Sequence, residues 1–214
     1  MDYLINEDYI AFYTSFFNDQ DKAIDLLNRC YDLTESNIFP RRMVNQLARS
    51  ILFSDYCYLH KSGNRSFQVF IWMSLIESYE YILHPDIDSE KVDKLAVILN
   101  FFRSHLNDED RILLTKNLRR SVIDDKFYEN RSELPIDTIS RILYSIRNEF
   151  THGLEFHTSL FSDSNEEKYL ESIKMKEFKK DTKAKRDFEF SITHEQLRDI
   201  IIRTSLNKIE NLLT

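Results

Sequence analysis

The segment PIDTISRILYSIRNEFTHG, residues 135–153, decides the fold class. Ile136, Ile139, Leu143, Ile146 and Phe150 recur alternately three and four residues apart, which lays one apolar stripe along an amphipathic helix. Pro135 suits the first turn, where its missing N–H costs nothing. Gly153 supplies the usual stop just past a helix end. Such a stripe must be buried against other elements, and the rest of the chain offers mostly helices for that purpose.

Only two glycines and three prolines occur in 214 residues, where average usage predicts about fifteen glycines. That shortage excludes folds built around glycine-rich phosphate loops or dinucleotide turns, which need positive φ and close backbone approach. The hydrophobic share of 42%, with 16 Phe and 11 Tyr, is ample for a core and argues against global disorder. Lys and Arg number 29 and Asp and Glu 36, so the formal charge is 29 − 36 = −7. An acidic balance speaks against a protein that coats nucleic acid, while leaving room for an enzyme that touches RNA at one local site. Cys30 and Cys57 lack CxxC spacing and read as reduced core thiols, which fits a cytoplasmic location. Residues 1–8 hold three acids and no base, so no secretory leader is expected, and no apolar run is long enough to span a bilayer.

Reading outward, residues 8–33 form a first helix, and Pro40 opens a second that runs to about Leu59. The stretch His60-Lys61-Ser62-Gly63-Asn64-Arg65-Ser66 is a turn. Residues 67–83 are apolar nearly all round, so this helix lies at the centre of the bundle. A helix capped at Asp88 or Ser89 runs to about His105, and Asn107 with Asp110 starts a short one ending near Arg119-Arg120. After Gly153 the period changes. Residues 155–161 alternate loosely and 187–192 cleanly, predicting a small two-stranded hairpin across a long polar loop. Thr193 caps the last helix, with Gln196 completing a capping box. The expected architecture is mainly α, with residues 1–62 as an N-terminal helical extension and 63–214 as the main bundle carrying the hairpin.

Chemistry concentrates at the end of the first-quoted helix. Arg147, Asn148 and His152 offer a permanent cation, an amide and a group that titrates near neutrality. That set is able to bind a phosphate and move a proton without a metal or other cofactor. On an ideal helix Arg147 and His152 lie about 140° apart, so they converge only if the helix unwinds near His152 or if a second copy faces it. Asn148 and His152, four apart, share a face. Glu77, inside the apolar helix, needs a partner, and Arg147 is a plausible one. No His, Cys or acidic residues show zinc spacing, and no nucleophile elbow appears. His157 falls on the first expected strand, and the other histidines lie at turns or helix ends. Residues 174–186 hold seven bases against two acids. Lys176, Lys179, Lys180, Lys183, Lys185 and Arg186 there make a local positive patch able to steer a polyanion, unless they form only a solvated loop.

The string Arg147-Asn148-x-x-x-His152-Gly153, together with the earlier helix bearing Leu75-Ile76-Glu77-Ser78-Tyr79, resembles the HEPN domain superfamily and its R-x4–6-H motif. The resemblance covers roughly residues 65–214 and does not extend to 1–62. It implies a four- or five-helix bundle that dimerises, with two motifs around one cleft. It implies metal-independent endoribonuclease activity of the toxin or anti-phage kind, with an antitoxin or sensor protein as a further partner. Arg147 would hold the scissile phosphate, His152 would act as general acid or base, and Asn148 would orient one of these groups. The alternative is a non-catalytic HEPN-like module for dimerisation, protein interaction or nucleotide binding. An open cleft at the motif is expected of the enzyme, and burial of Arg147 of the module.

Overall fold

A computed structural model describes residues 5–60, 65–120, 134–153, 161, 169–176 and 183–214. Among these, eight α-helices and three strands follow in order: α1 (Glu7–Phe17), α2 (Gln20–Asp32), α3 (Phe39–His60), α4 (Arg65–Leu83), α5 (Lys94–His105), α6 (Asp108–Asn117), β1 (Leu118–Arg120), α7 (Ile136–Gly153), β2 (Tyr169–Lys176), β3 (Lys183–Phe190) and α8 (His194–Glu210). The fold is mainly helical with a small antiparallel hairpin near the C-terminus, as the composition and periodicity require.

The all-apolar helix α4 sits at the centre. Val69, Trp72, Met73, Leu75, Ile76 and Tyr79 are buried along it, and α3, α5 and α7 all pack against it. Covering it from several sides is the only way such a helix removes its surface from water, at about 25 cal/mol per Å² of apolar area. Trp72 lies among Phe161 and His194, whose ring in turn stacks on Tyr58 at 3.9 Å. The buried cluster is continuous from Phe12 on α1 to Ile209 on α8, and α1, α2 and α3 contribute to it together with the later helices. Charged ties reinforce the same packing at its edges. Arg198 grips Asp55 of α3, Arg203 grips Asp110 of α6, and the Tyr13 hydroxyl donates to the Val44 carbonyl at 2.7 Å. Cys30 and Cys57 are free and buried, and burial pushes the Cys30 thiol up to about 12. No helix of the described residues is long and apolar enough to cross a membrane.

Several boundaries differ from the sequence reading, each for a local reason. The first helix is two. Asn18 adopts the left-handed conformation (φ 52°), ending α1, and Asp19 caps α2 by accepting from the Lys22 N–H. Asparagine tolerates that conformation better than most residues because its short side chain bonds locally. Replacing Asn18 by Ala is expected to lower the free energy of unfolding by about 1 kcal/mol in urea titrations, while Asn18→Gly leaves it unchanged or slightly higher. The helix after Pro85 starts at Lys94, where the Asp93 carboxylate caps it by accepting from the Ala96 N–H, while Asp88 accepts from the Glu90 N–H and closes only a turn. Residues 118–120 leave the helix of α6 and become β1, a third strand that pairs with β3 in the order β1-β3-β2.

The hairpin itself is shifted. Its first strand is β2, at residues 169–176, and the basic stretch read as a loop is largely strand: Lys174 to Lys176 end β2, and Lys183 to Arg186 begin β3. Ile173 and Met175 carry the two-residue alternation, but Lys174 between them and Lys176 after them read as loop composition. The earlier position, 155–161, falls outside the described residues except for Phe161, which is buried.

One histidine makes the fold pH-sensitive. Burial, and to a lesser extent the neighbouring Lys208 cation, push His105, at the end of α5, down to about 4. An unfolded histidine titrates near 6.5, so the unfolded chain takes up this proton first. The stability this group supplies is present above about pH 6.5 and is lost as pH falls toward 4. The urea midpoint is expected to drop between about pH 7 and pH 5 by the equivalent of roughly 1 kcal/mol, discounted for partial exposure, and His105→Asn to reduce that drop.

Candidate functional site

The site is built where α7 crosses α4. The stripe of α7 that buries Ile139, Ile142, Leu143 and Ile146 turns Arg147 toward the same neighbour. There its Nη2 donates to Glu77 Oε2 at 2.9 Å. Its Nη1 donates to the side-chain oxygen of Asn148 at 3.0 Å. Both members of the pair are nearly enclosed, with Arg147 8% and Glu77 5% exposed. One turn on, the Thr151 hydroxyl donates to the Arg147 carbonyl at 2.8 Å and holds the backbone of the last turn.

Burial raises the Glu77 carboxyl above its ordinary value, and the Arg147 cation and then Lys94 of α5 oppose that rise. The pair is therefore a charged contact set in a low-dielectric seam, where each partner depends on the other. Among the described residues neither Glu77 Oε1 nor Arg147 Nε has a hydrogen-bond partner.

His152 is placed differently. It is exposed, and it makes no hydrogen bond or ion pair with the described residues. The helix continues to Gly153, so the unwinding that would bring His152 round to Arg147 does not occur. The two side chains keep the divergence of about 140° that a regular helix imposes. Asn148 is half-buried and bonds Arg147 rather than His152. The structure thus assembles Glu77, Arg147 and Asn148, and leaves His152 apart from them on the surface of the same helix end.

No protein-family model, curated protein or solved structure matches the chain.

Around this helix end lies an aromatic cluster that the sequence reading missed. Phe150 of α7 packs on Phe67 and Phe70 at ring separations of 5.3 and 5.0 Å, and Phe67 meets Phe53 of α3 at 6.3 Å. From Phe53 the apolar surface continues outward along α3, where Phe53, Tyr56 and Leu59 are 54%, 60% and 77% exposed. The signal was present as residues 53, 56 and 59 spaced three apart, on a second face of a helix whose first face forms the core.

The basic residues divide. Lys179 and Lys180 lie outside the described residues, as does His157. Lys176 is the last residue of β2, and Lys183, Lys185 and Arg186 stand in β3. Among the described residues no group of three or more His, Cys, Asp or Glu is placed to hold a metal ion.

Proposed function

We propose that this protein is a metal-independent endoribonuclease of HEPN type, acting as a homodimer in a toxin or anti-phage role. The observation that carries the reading is the Glu77–Arg147–Asn148 constellation, fixed one turn before an exposed His152. A guanidinium has five N–H donors. Glu77 and Asn148 engage two of them and hold the group rigid, which favours the preorganisation that phosphate charge stabilisation requires. His152, unpartnered by the described residues, is free to exchange protons with solvent and substrate. Since a regular α7 keeps Arg147 and His152 apart, a complete site draws on a second copy of the helix. The exposed apolar surface of Phe53, Tyr56 and Leu59 on α3, linked to Phe150 of α7 through Phe67, supports such a contact, because contiguous apolar patches mark interaction surfaces.

In this mechanism His152 removes the proton of a ribose 2′-hydroxyl while water protonates the leaving 5′-oxygen, or protonates that oxygen while water takes the 2′ proton. The 2′-oxygen forms its bond to phosphorus as the bond from phosphorus to the 5′-oxygen breaks. Arg147 stabilises the charge that gathers on the phosphoryl oxygens. The products carry a 2′,3′-cyclic phosphate and a 5′-hydroxyl, and DNA is resistant.

Burial of Arg147 favours a second reading, a non-catalytic module for dimerisation, protein interaction or nucleotide binding. Incubation of the wild type with a labelled mixed RNA pool in EDTA separates the two. Cyclic-phosphate ends on the products support the nuclease, and intact RNA at high protein concentration leaves the module.

A further inference from the structure

We infer that one face of the β2–β3 ribbon is an RNA-docking surface, the choice of RNA resting on the ribonuclease reading above. In the antiparallel register Lys174 stands opposite Lys185, and Lys176 opposite Lys183. Residues directly opposite share a face, and residues two apart along a strand return to it. Lys174, Lys176, Lys183 and Lys185 therefore occupy one face at the end of the ribbon distal to β1. Arg186, opposite Ile173, belongs to the other face. Toward the sheet the lysine face continues with Ser172 opposite Asp187, so the positive charge is concentrated at the tip.

Two successive like-charge cross-strand pairs work against the ribbon that contains them. A line of phosphates laid along the face removes that repulsion. The four positions form an array of about 7 Å along the strands by about 5 Å across them, in a chain whose net charge is −7. The place of the ribbon in the fold selects the polyanion. β2 packs against α7, the helix that carries Arg147, Asn148 and His152, so RNA held on the lysines lies on the strand that adjoins the motif helix. An anionic membrane or an acidic protein has no such relation to α7.

The test uses the full chain carrying His152→Ala, so that the probe survives, with and without K174Q/K176Q/K183Q/K185Q, and with R186Q as a control on the opposite face. Binding of a labelled single-stranded uridine oligonucleotide is followed by anisotropy in EDTA between about 50 and 200 mM salt. Each lysine that meets a phosphate contributes roughly 0.7 to the slope of log affinity against log salt, so the four-lysine variant is expected to lose about 3. R186Q is expected to lose less than one lysine's share. Circular dichroism and urea midpoints establish that the variants fold. If the quadruple variant does not fold, K174Q/K176Q and K183Q/K185Q are each expected to lose half the effect.

An unchanged slope overturns the proposal, as does tighter binding to phosphatidylserine vesicles than to RNA. Aggregation of the variants without a change in slope also overturns it, assigning the lysines to protection of an exposed strand edge. Wild-type protein that cuts RNA while the variants keep its slope sinks the docking face alone. RNA held through the lysines but never cut sinks the nuclease reading alone.

Discussion

Removing the Glu77 carboxylate is expected to cost about 3–5 kcal/mol of stability, a large part of what a domain usually has. Glu77→Ala leaves the Arg147 guanidinium in a seam where it is 8% exposed, with only Asn148 among the described residues to meet it. The charge cannot escape by deprotonation, because arginine stays protonated at any accessible pH. Arg147→Ala strands the carboxylate instead. That loss is expected to be smaller, because burial already raises the Glu77 carboxyl and a proton can neutralise it. Replacing both by Leu and Met of similar volume is expected to recover most of the loss, since the penalty of burying the pair is of the same size as its attraction. Urea titrations of the three variants, with a constant m-value, test this sequence of effects. A loss below about 1 kcal/mol for Glu77→Ala means that water reaches the pair and that Arg147 is not held as described.

The sequence made that pair legible through a mismatch: a carboxylate set among the apolar residues of a helix that is apolar nearly all round has to find a cation. The helical stripe 136–150, the central helix and the Thr193–Gln196 capping box were equally readable, because each depends on residues within one or two turns of each other. What escaped reading depends on distant partners. β1 is three residues long and exists only because Phe188, Glu189 and Phe190 of β3 lie alongside it. The lysines of β2 and β3 look like loop composition until the register pairs Lys174 with Lys185 and Lys176 with Lys183. At the motif, spacing stated correctly that Arg147 and His152 diverge on a regular helix. It could not say that Asn148 bonds the arginine rather than sharing work with His152, a choice set by the position of α4.

His152→Ala is expected to lower RNA cleavage by 10²–10⁴-fold, the usual contribution of a general acid or base, while moving stability by no more than about 0.5 kcal/mol. Its exposure makes the second half of that expectation firm, and the contrast with Arg147 makes the first half informative. Any large change at Arg147 disturbs the Glu77 seam, so lost activity there reports folding as much as chemistry. His152 carries no such confusion. A near-wild-type rate for His152→Ala removes it from the reaction and takes the proposed mechanism with it. The divergence of the two side chains permits a sharper version of the experiment. Arg147→Lys keeps a cation against Glu77 but gives up the planar fork, and is expected to be inactive yet folded. Mixed with His152→Ala, it forms hybrid dimers in which one chain keeps only its histidine and the other only its arginine. If each site takes Arg147 from one copy and His152 from the other, half of the dimers carry one intact site out of two, and about a quarter of the wild-type rate returns. If both groups act within one chain, every site in every dimer lacks one of them and mixing restores nothing. A regular α7 that ends at Gly153 with its arginine turned inward and its histidine outward predicts the first outcome.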